Sequence, residues 1–438
     1  MPLTLDTVRR MCYNIGIEAT FAAILRTEGR ALRALSMRAI GVICEFNPLH
    51  AGHVYLLRRM REAVGDEGCV IAVMSGRFVQ RGEAASFDPY LRAEWAMMGG
   101  ADLVLELPFP WSGASAEHFA AAGVHILSAL GADTLAFGSE SGDSTLLSRA
   151  ADVMTSPDFG ERYAALCRGG MGTAAAFSAA IRDGMGEDTP ADFPSPNDIL
   201  GISYLVALKH TDMGVSVVRR KGAGYRDAII PATGYPSATA LRQVIAEAAS
   251  DPVALSAVLE GTTPPAVVES LTEAVERGDA PLSGNRLLPF FHAYYRLQTL
   301  GTVEHCAECG GGVAGHILKC AAEQADAMSF FDALRSNRYT AARLRRSLLF
   351  GALGVRSDDL FSLPDYTVLL GANERGRKYL REWQKANEDS DFRVVTKPAD
   401  APEGRQRALS ERADALFTLC YPTPRDAGAL LRQGPVII

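Results

Sequence analysis

Arg38-Ala-Ile-Gly-Val-Ile-Cys-Glu-Phe-Asn-Pro-Leu-His-Ala-Gly-His53 is the stretch that decides the fold. Arg38 to Glu45 reads as a strand buried in a parallel sheet, because the segment is continuously apolar and β-branched instead of alternating. Asn47 and Pro48 then turn the chain, and a helix is expected to start close to His50. His50 and His53, three residues apart at a helix start, share one side of it. Gly52 between them lets a ligand approach backbone N–H groups that have no intrahelical acceptor. A helix start of this kind, at the carboxyl end of a strand, is an anion site.

Outward from this stretch, short apolar runs recur at Cys69 to Met74, Asp102 to Leu107, Asp133 to Phe137 and Val215 to Val218. Helical spacing separates them at Val54 to Val64, Tyr90 to Met98 and Glu117 to Leu130. Strand and helix in alternation predict an α/β fold, a doubly wound, Rossmann-like parallel sheet, over residues 37–250. Beyond it, apolar residues keep helical intervals through Pro252 to Val275, Leu287 to Leu300, Ile317 to Leu334 and Ala341 to Leu353. Residues 251–438 are therefore expected to form a mainly helical C-terminal domain, with a small α/β finish at Tyr366 to Gly371, Glu374 to Lys385 and Phe392 to Thr396. Cys306 to Gly312 and Pro398 to Gly404 are the linker candidates. Residues 1–36 are an extension without the apolar stretch of an export signal, and no role is assigned to them.

With 438 residues, 48% hydrophobic and 22% charged, the chain has the balance of a globular protein of at least two folding units. No apolar run reaches the length of a membrane span. The formal charge of -7 leaves room only for a local nucleic-acid surface. Eight irregularly spaced cysteines suit free thiols in a reducing cytoplasm.

A second motif, Ser237-Ala-Thr-Ala-Leu-Arg242, follows Pro236 and opens another helix, with Ser237 as N-cap and Arg242 reaching back from the next turn. Paired with the His-x-Gly-His turn, Ser237, Thr239 and Arg242 make the other half of a triphosphate cradle. The combination resembles the nucleotidyltransferase superfamily with the HIGH signature. In-line attack on the α-phosphorus pushes negative charge onto pyrophosphate, and His50, His53, Arg242 and helix-terminal N–H groups are placed to receive it. No Walker A pattern and no Ser/His/Asp arrangement is present.

Longer motifs narrow the family. Gly41 to His53, Met74-Ser-Gly-Arg-Phe-Val-Gln-Arg-Gly-Glu83, Ala101 to Pro108, Phe137-Gly-Ser-Glu140, Ser195 to Leu205, Arg219 to Tyr225, Arg338-Tyr-Thr-Ala-Ala-Arg343 and Leu369-Leu-Gly371 resemble the bacterial tRNA(Met) cytidine acetate ligases. The resemblance runs from about Arg38 to near the C-terminus. It implies an enzyme that joins ATP, with Mg2+, and acetate into acetyl-adenylate, then acetylates N4 of the wobble cytidine of elongator tRNA(Met). It also implies that ATP is held by Ile43, Cys44, Glu45, Phe46, Asn47, Pro48, Leu49, His50, Ala51, Gly52, His53, Val54, Tyr55 and Leu56, and by Gly138, Asn197 and Arg220. The chain departs from the family's habit at Leu49, where phenylalanine is common, and at Ala51, where asparagine is.

An adenylyltransferase core is complete by about residue 250, so RNA docking is the expected reason for the rest. Between Phe331 and Lys385 stand eleven Lys and Arg against six Asp and Glu, an excess inside an acidic protein. Arg338, Arg343, Arg345, Arg346, Arg377 and Lys378 are the candidate RNA contacts, and Tyr339 could stack on a base or anchor its helix. Arg77 and Arg81 are candidates for a carboxylate or RNA phosphate, or for a solvated loop. His305, Cys306 and Cys309, with His316 and Cys320, lack the regular spacing of a zinc site, and no metal is assigned to them. Two other readings share the cradle: a cofactor adenylyltransferase acting on a phosphorylated small molecule, and a non-catalytic ATP-sensing RNA-binding protein.

Overall fold

The computed structural model describes residues 35–220 and 237–438. The extension up to residue 34, the motif segment 221–225 and Pro236 lie outside the described residues. β1 (Ala39–Cys44) is buried throughout, because its neighbours cover both faces. Ile40, Val42 and Cys44 enter one apolar cluster, and Ala39 and Ile43 enter the cluster on the opposite face. β2 (Cys69–Ser75), β5 (Leu103–Leu107), β6 (Thr134–Ser139) and β7 (Gly214–Arg219) complete the predicted parallel set. Between β2 and β5, β3 (Phe78–Val79) and β4 (Glu83–Ala84) form a short antiparallel hairpin.

The sheet crosses the boundary expected at residue 250. β8 (Tyr366–Ala372) pairs antiparallel with β5, and β9 (Arg393–Val395) and β10 (Val436–Ile437) each pair parallel with β8. The order is β10-β8-β5-β2-β1-β6-β7. Helices beyond residue 250 also cover the sheet. Leu255, Leu259, Val267 and Leu271 of Pro252–Leu259 and Pro265–Glu276 join the core on one face. Tyr379, Leu380 and Trp383 of Glu374–Ala386 join the other. A third apolar cluster holds the remaining helices together. It includes Phe291, Ile317, Phe330, Leu348 and Phe417, and reaches the sheet through Phe78, Val79 and Phe109.

Both linker candidates are packed turns. Cys309 is buried and the Ala307 N–H donates to the Val355 carbonyl at 2.8 Å. Ala401 is buried directly before the helix Arg405–Phe417. The glycines of the first and the prolines of the second serve tight turning, not separation of domains. Among the described residues no helix is long and apolar enough to cross a membrane.

Candidate functional site

The chain leaves β1 through Phe46, whose φ of 44° lies in the left-handed region that a bulky residue rarely occupies. Packing holds it there, with Phe46 buried against the His53 ring at 4.9 Å between centroids. Backbone strain of this sort gathers at functional sites. Asn47 fixes the turn from both ends of its own residue. Its Oδ1 accepts from the Ser86 N–H at 2.9 Å, and its carbonyl accepts from Arg242 Nη1 at 2.8 Å.

His50 is the N-cap of the helix Ala51–Val64, and its Nδ1 accepts from the Gly52 N–H at 3.0 Å. The two imidazoles stack, with centroids 3.7 Å apart. The first N–H groups, expected from the sequence to await a phosphate, are already engaged. Ala51 N–H donates to the Thr262 carbonyl at 2.9 Å, and His53 N–H to the His50 carbonyl at 2.8 Å. His53 Nδ1, by contrast, is buried with no hydrogen-bond partner among the described residues. Thr263 Oγ1 donates to the Leu49 carbonyl at 2.9 Å, so the turn before the helix Pro265–Glu276 clasps the histidine turn. Ile43 and Cys44 end β1 in the core, and Val54 and Leu56 pack against it.

Ser237 caps the helix Ala238–Ala248, accepting from the Ala240 N–H at 3.1 Å. Arg242, one turn on, donates to Thr239 Oγ1 at 3.2 Å as well as to Asn47. Two helix starts about 190 residues apart in the chain therefore meet through one guanidinium.

A third group lies at the carboxyl edge of β6 and β7. The Arg220 N–H donates to the Ser139 carbonyl at 2.9 Å, and its guanidinium Nε stands 3.9 Å from Glu140 Oε1. A side chain on Gly138 would bring its Cβ to 3.3 Å from Arg220 Cγ, so glycine here makes room for the arginine stem. Asn197 Nδ2 donates to Glu140 Oε1. Pro196 occupies the first helical position of Pro196–Leu208, as its fixed φ suits, and leaves Asn197 in place.

Burial pulls the His50 pKa down to about 3, with the Arg220 charge pushing the same way. Burial, then the neighbouring His50 and Arg220, holds His53 well below its ordinary value. Both rings are therefore neutral at pH 7, and the fixed charge of the site comes from Arg220 and Arg242. In the unfolded chain each histidine takes up a proton below about pH 6.5, which the folded chain resists. Stability is thus expected to fall as pH drops through that value, by about 1.4 kcal/mol per pH unit for each histidine until the folded pKa is reached. Urea unfolding at pH 7.0 and 5.5 measures this, and substitution of both histidines should flatten the slope.

The sequence matches the HIGH Nucleotidyl Transferase family over residues 37–429. It is 38% identical to the tRNA(Met) cytidine acetate ligase of Syntrophotalea carbinolica over 78% of this chain and 82% of that one. It is 30% identical to the Acetivibrio thermocellus protein of the same name over 92% of this chain and all of that one. The chain belongs to the tRNA(Met) cytidine acetate ligase family. Thermotoga maritima TmcAL superposes on it with a TM-score of 0.81 at 26% identity, covering 92% of this chain and 100% of that one. A second crystal form of that relative, bound with alpha-thio ATP, gives 0.79.

Within this family member the candidate basic residues separate. Arg345 pairs with Glu83 of the hairpin at 2.6 Å, and Arg346 with half-buried Glu308 at 3.0 Å. Arg338 and Arg343 both lie over the Tyr339 ring, at 5.3 and 5.6 Å. Tyr339 is an anchor, buried and donating to the Gly311 carbonyl at 2.9 Å, so its ring face is not open to stack a base. Arg377 and Lys378 are exposed on a helix that begins beside Asp102, at the amino end of β5, the sheet edge opposite the histidines.

Arg77 is neither a ligand-binding nor a solvated side chain. It is 3% exposed and ion-paired with Glu106 at 2.6 Å and Asp414 at 2.9 Å, because burying two carboxylates demands a cation beside them. Arg81 stays half-buried on the hairpin. Cys309 Sγ donates to the Ser347 carbonyl at 3.5 Å, and burial pushes its pKa up, so it is held as a thiol. Among the described residues no three His, Cys, Asp or Glu are grouped to hold a metal.

Three structural partners of the site carry no sequence signal. Arg92 sits on an ordinary amphipathic helix, yet it is fully buried and donates to the carbonyls of Glu45 at 2.7 Å, Ser75 at 3.0 Å and Phe87 at 3.0 Å. Thr262 and Thr263 belong to a segment with the composition of any turn.

Proposed function

We propose that this protein is a tRNA(Met) cytidine acetate ligase: it activates acetate with ATP as acetyl-adenylate and acetylates N4 of the wobble cytidine of elongator tRNA(Met). The observation that carries the reading is the Arg242 contact to the Asn47 carbonyl, which brings the second helix start onto the His-x-Gly-His turn. ATP enters between these starts. Arg242 and Arg220 supply fixed charge, neutral His50 and His53 donate hydrogen bonds, and Gly138 and Asn197 border the nucleoside. Attack of the acetate oxygen on the α-phosphorus needs no side-chain nucleophile, so the residues position the reactants and stabilise the leaving pyrophosphate. Mg2+ bound with ATP would supply further neutralisation of phosphate charge. It fits a site without a protein cage, since Mg2+ commonly keeps its waters and rides on substrate phosphates.

For the tRNA, exposed Arg338 is the contact that its placement supports best, whereas Arg343 is half-buried, 3.8 Å from Glu308 and donating to the Gly310 carbonyl at 3.1 Å. Arg345 and Arg346 hold the helix Ala341–Leu353 to the hairpin and to Glu308, and serve RNA indirectly by positioning it.

Incubation of the protein with ATP, labelled acetate and total tRNA, followed by nucleoside analysis, tests the reading. Label is expected in N4-acetylcytidine of one methionine tRNA. Label in no nucleoside, with ATP consumed on a phosphorylated small molecule instead, overturns it.

A further inference from the structure

We propose that Glu140 accepts a hydrogen bond from a ribose hydroxyl of the bound nucleotide, and so sets a preference for a ribonucleotide over its deoxy analogues. This rests on the ATP reading above. Glu140 directly follows β6, which neighbours β1 in the sheet with Ile40 opposite Thr134 and Gly41 opposite Leu135. It therefore shares the carboxyl sheet edge with the histidine turn.

Its loop is fixed. Asp198, almost wholly buried, accepts from Ser139 Oγ at 2.5 Å, from the Ser141 N–H at 3.1 Å, from Ser141 Oγ at 3.0 Å and from the Ser195 N–H at 3.1 Å. The carboxylate flanked by these serines has two unlike oxygens. Oε1 accepts from Asn197 and faces Arg220, whereas Oε2 is buried with no hydrogen-bond partner among the described residues. A buried carboxylate oxygen left without a donor is costly, and a carboxylate has no donor of its own to offer.

Among the described residues, Oε2 is thus offered no donor. Triphosphate oxygens are acceptors and cannot supply it, whereas a ribose hydroxyl can. The Arg220 charge acts on both histidines, and its guanidinium stands beside Glu140. Glu140 and the histidine turn thus share one sheet edge and one arginine, and the sugar is the part of the nucleotide joined directly to the phosphates.

The test is calorimetric titration of the full chain with ATP, 2′-deoxy-ATP and 3′-deoxy-ATP. The unaltered protein is expected to bind one of the deoxy nucleotides about tenfold more weakly than ATP, the scale of one hydrogen bond to a charged group. Glu140→Ala is expected to bind all three with nearly equal affinity. A merely structural role weakens all three alike and keeps the ratio, and that result overturns the proposal. Equal affinities in the unaltered protein overturn it without recourse to any variant. If the unaltered protein binds no ATP at all, the functional reading beneath it fails instead.

Discussion

Replacing His53 with alanine is expected to lower ATP-dependent acetyl-adenylate formation about 100- to 1000-fold, the range seen when one preorganised donor to a developing anion is removed. The expectation follows from the state of the ring. His53 is neutral, stacked on His50 and tilted against Phe46, and keeps a buried Nδ1 with no partner among the described residues. A polar atom left unpaired in the core costs folding free energy, and its retention points to a ligand as its partner. Deleting the ring opens a cavity but also removes that unpaired nitrogen, and the two effects oppose each other. Unfolding free energy should therefore change by less than about 2 kcal/mol. Pyrophosphate release assays and denaturant titration on the same variant separate the two. Unchanged release in both His53→Ala and His50→Ala would remove the histidines from the reaction.

The largest stability effect is expected at Arg77. Arg77→Met leaves Glu106 and Asp414 buried without their cation, and breaking a buried ion network from one side costs about 3–5 kcal/mol. Burial already pushes Asp414 up to about 7 against the opposing pull of Arg77, which shows how little solvent reaches the group. Loss of the arginine should drive the carboxyls to their protonated forms, so the variant is expected to regain stability as pH is lowered from 8 to 6. Combining Arg77→Met with Glu106→Gln and Asp414→Asn should recover much of the loss, since the uncompensated charge is gone. A penalty below about 1 kcal/mol in the single variant would mean that the network is not what holds Arg405–Phe417 to the sheet.

The parallel half of the sheet was legible because buried strands have a sequence pattern of their own, and β1, β2, β5, β6 and β7 fall where the apolar runs stand, whereas the β3–β4 hairpin was not foreseen. The antiparallel seating of β8 was not. Tyr366 to Gly371 reads as a strand, but nothing in an apolar run names its neighbour or its direction. The convergence of the two helix starts was legible only by likeness to a family, since Asn47 and Arg242 meet through a backbone carbonyl that any residue could offer. Arg77 misled for a general reason. An arginine in a polar loop looks solvated until the distant Asp414 is known to lie beside it. The left-handed turn at Phe46 is likewise invisible, because packing imposes it against the residue's own preference.

The seating of β8 bears on how the protein is made. Thr367 Oγ1 donates to the Glu106 carbonyl at 2.6 Å, and the two residues are 261 positions apart in the chain. Translation at roughly 5–20 residues per second puts on the order of tens of seconds between them. Throughout that interval β5 has left the ribosome with one flank bare, and a bare strand flank invites pairing with any other chain nearby. The newborn polypeptide needs shelter there, until its own last fifth arrives to close the gap.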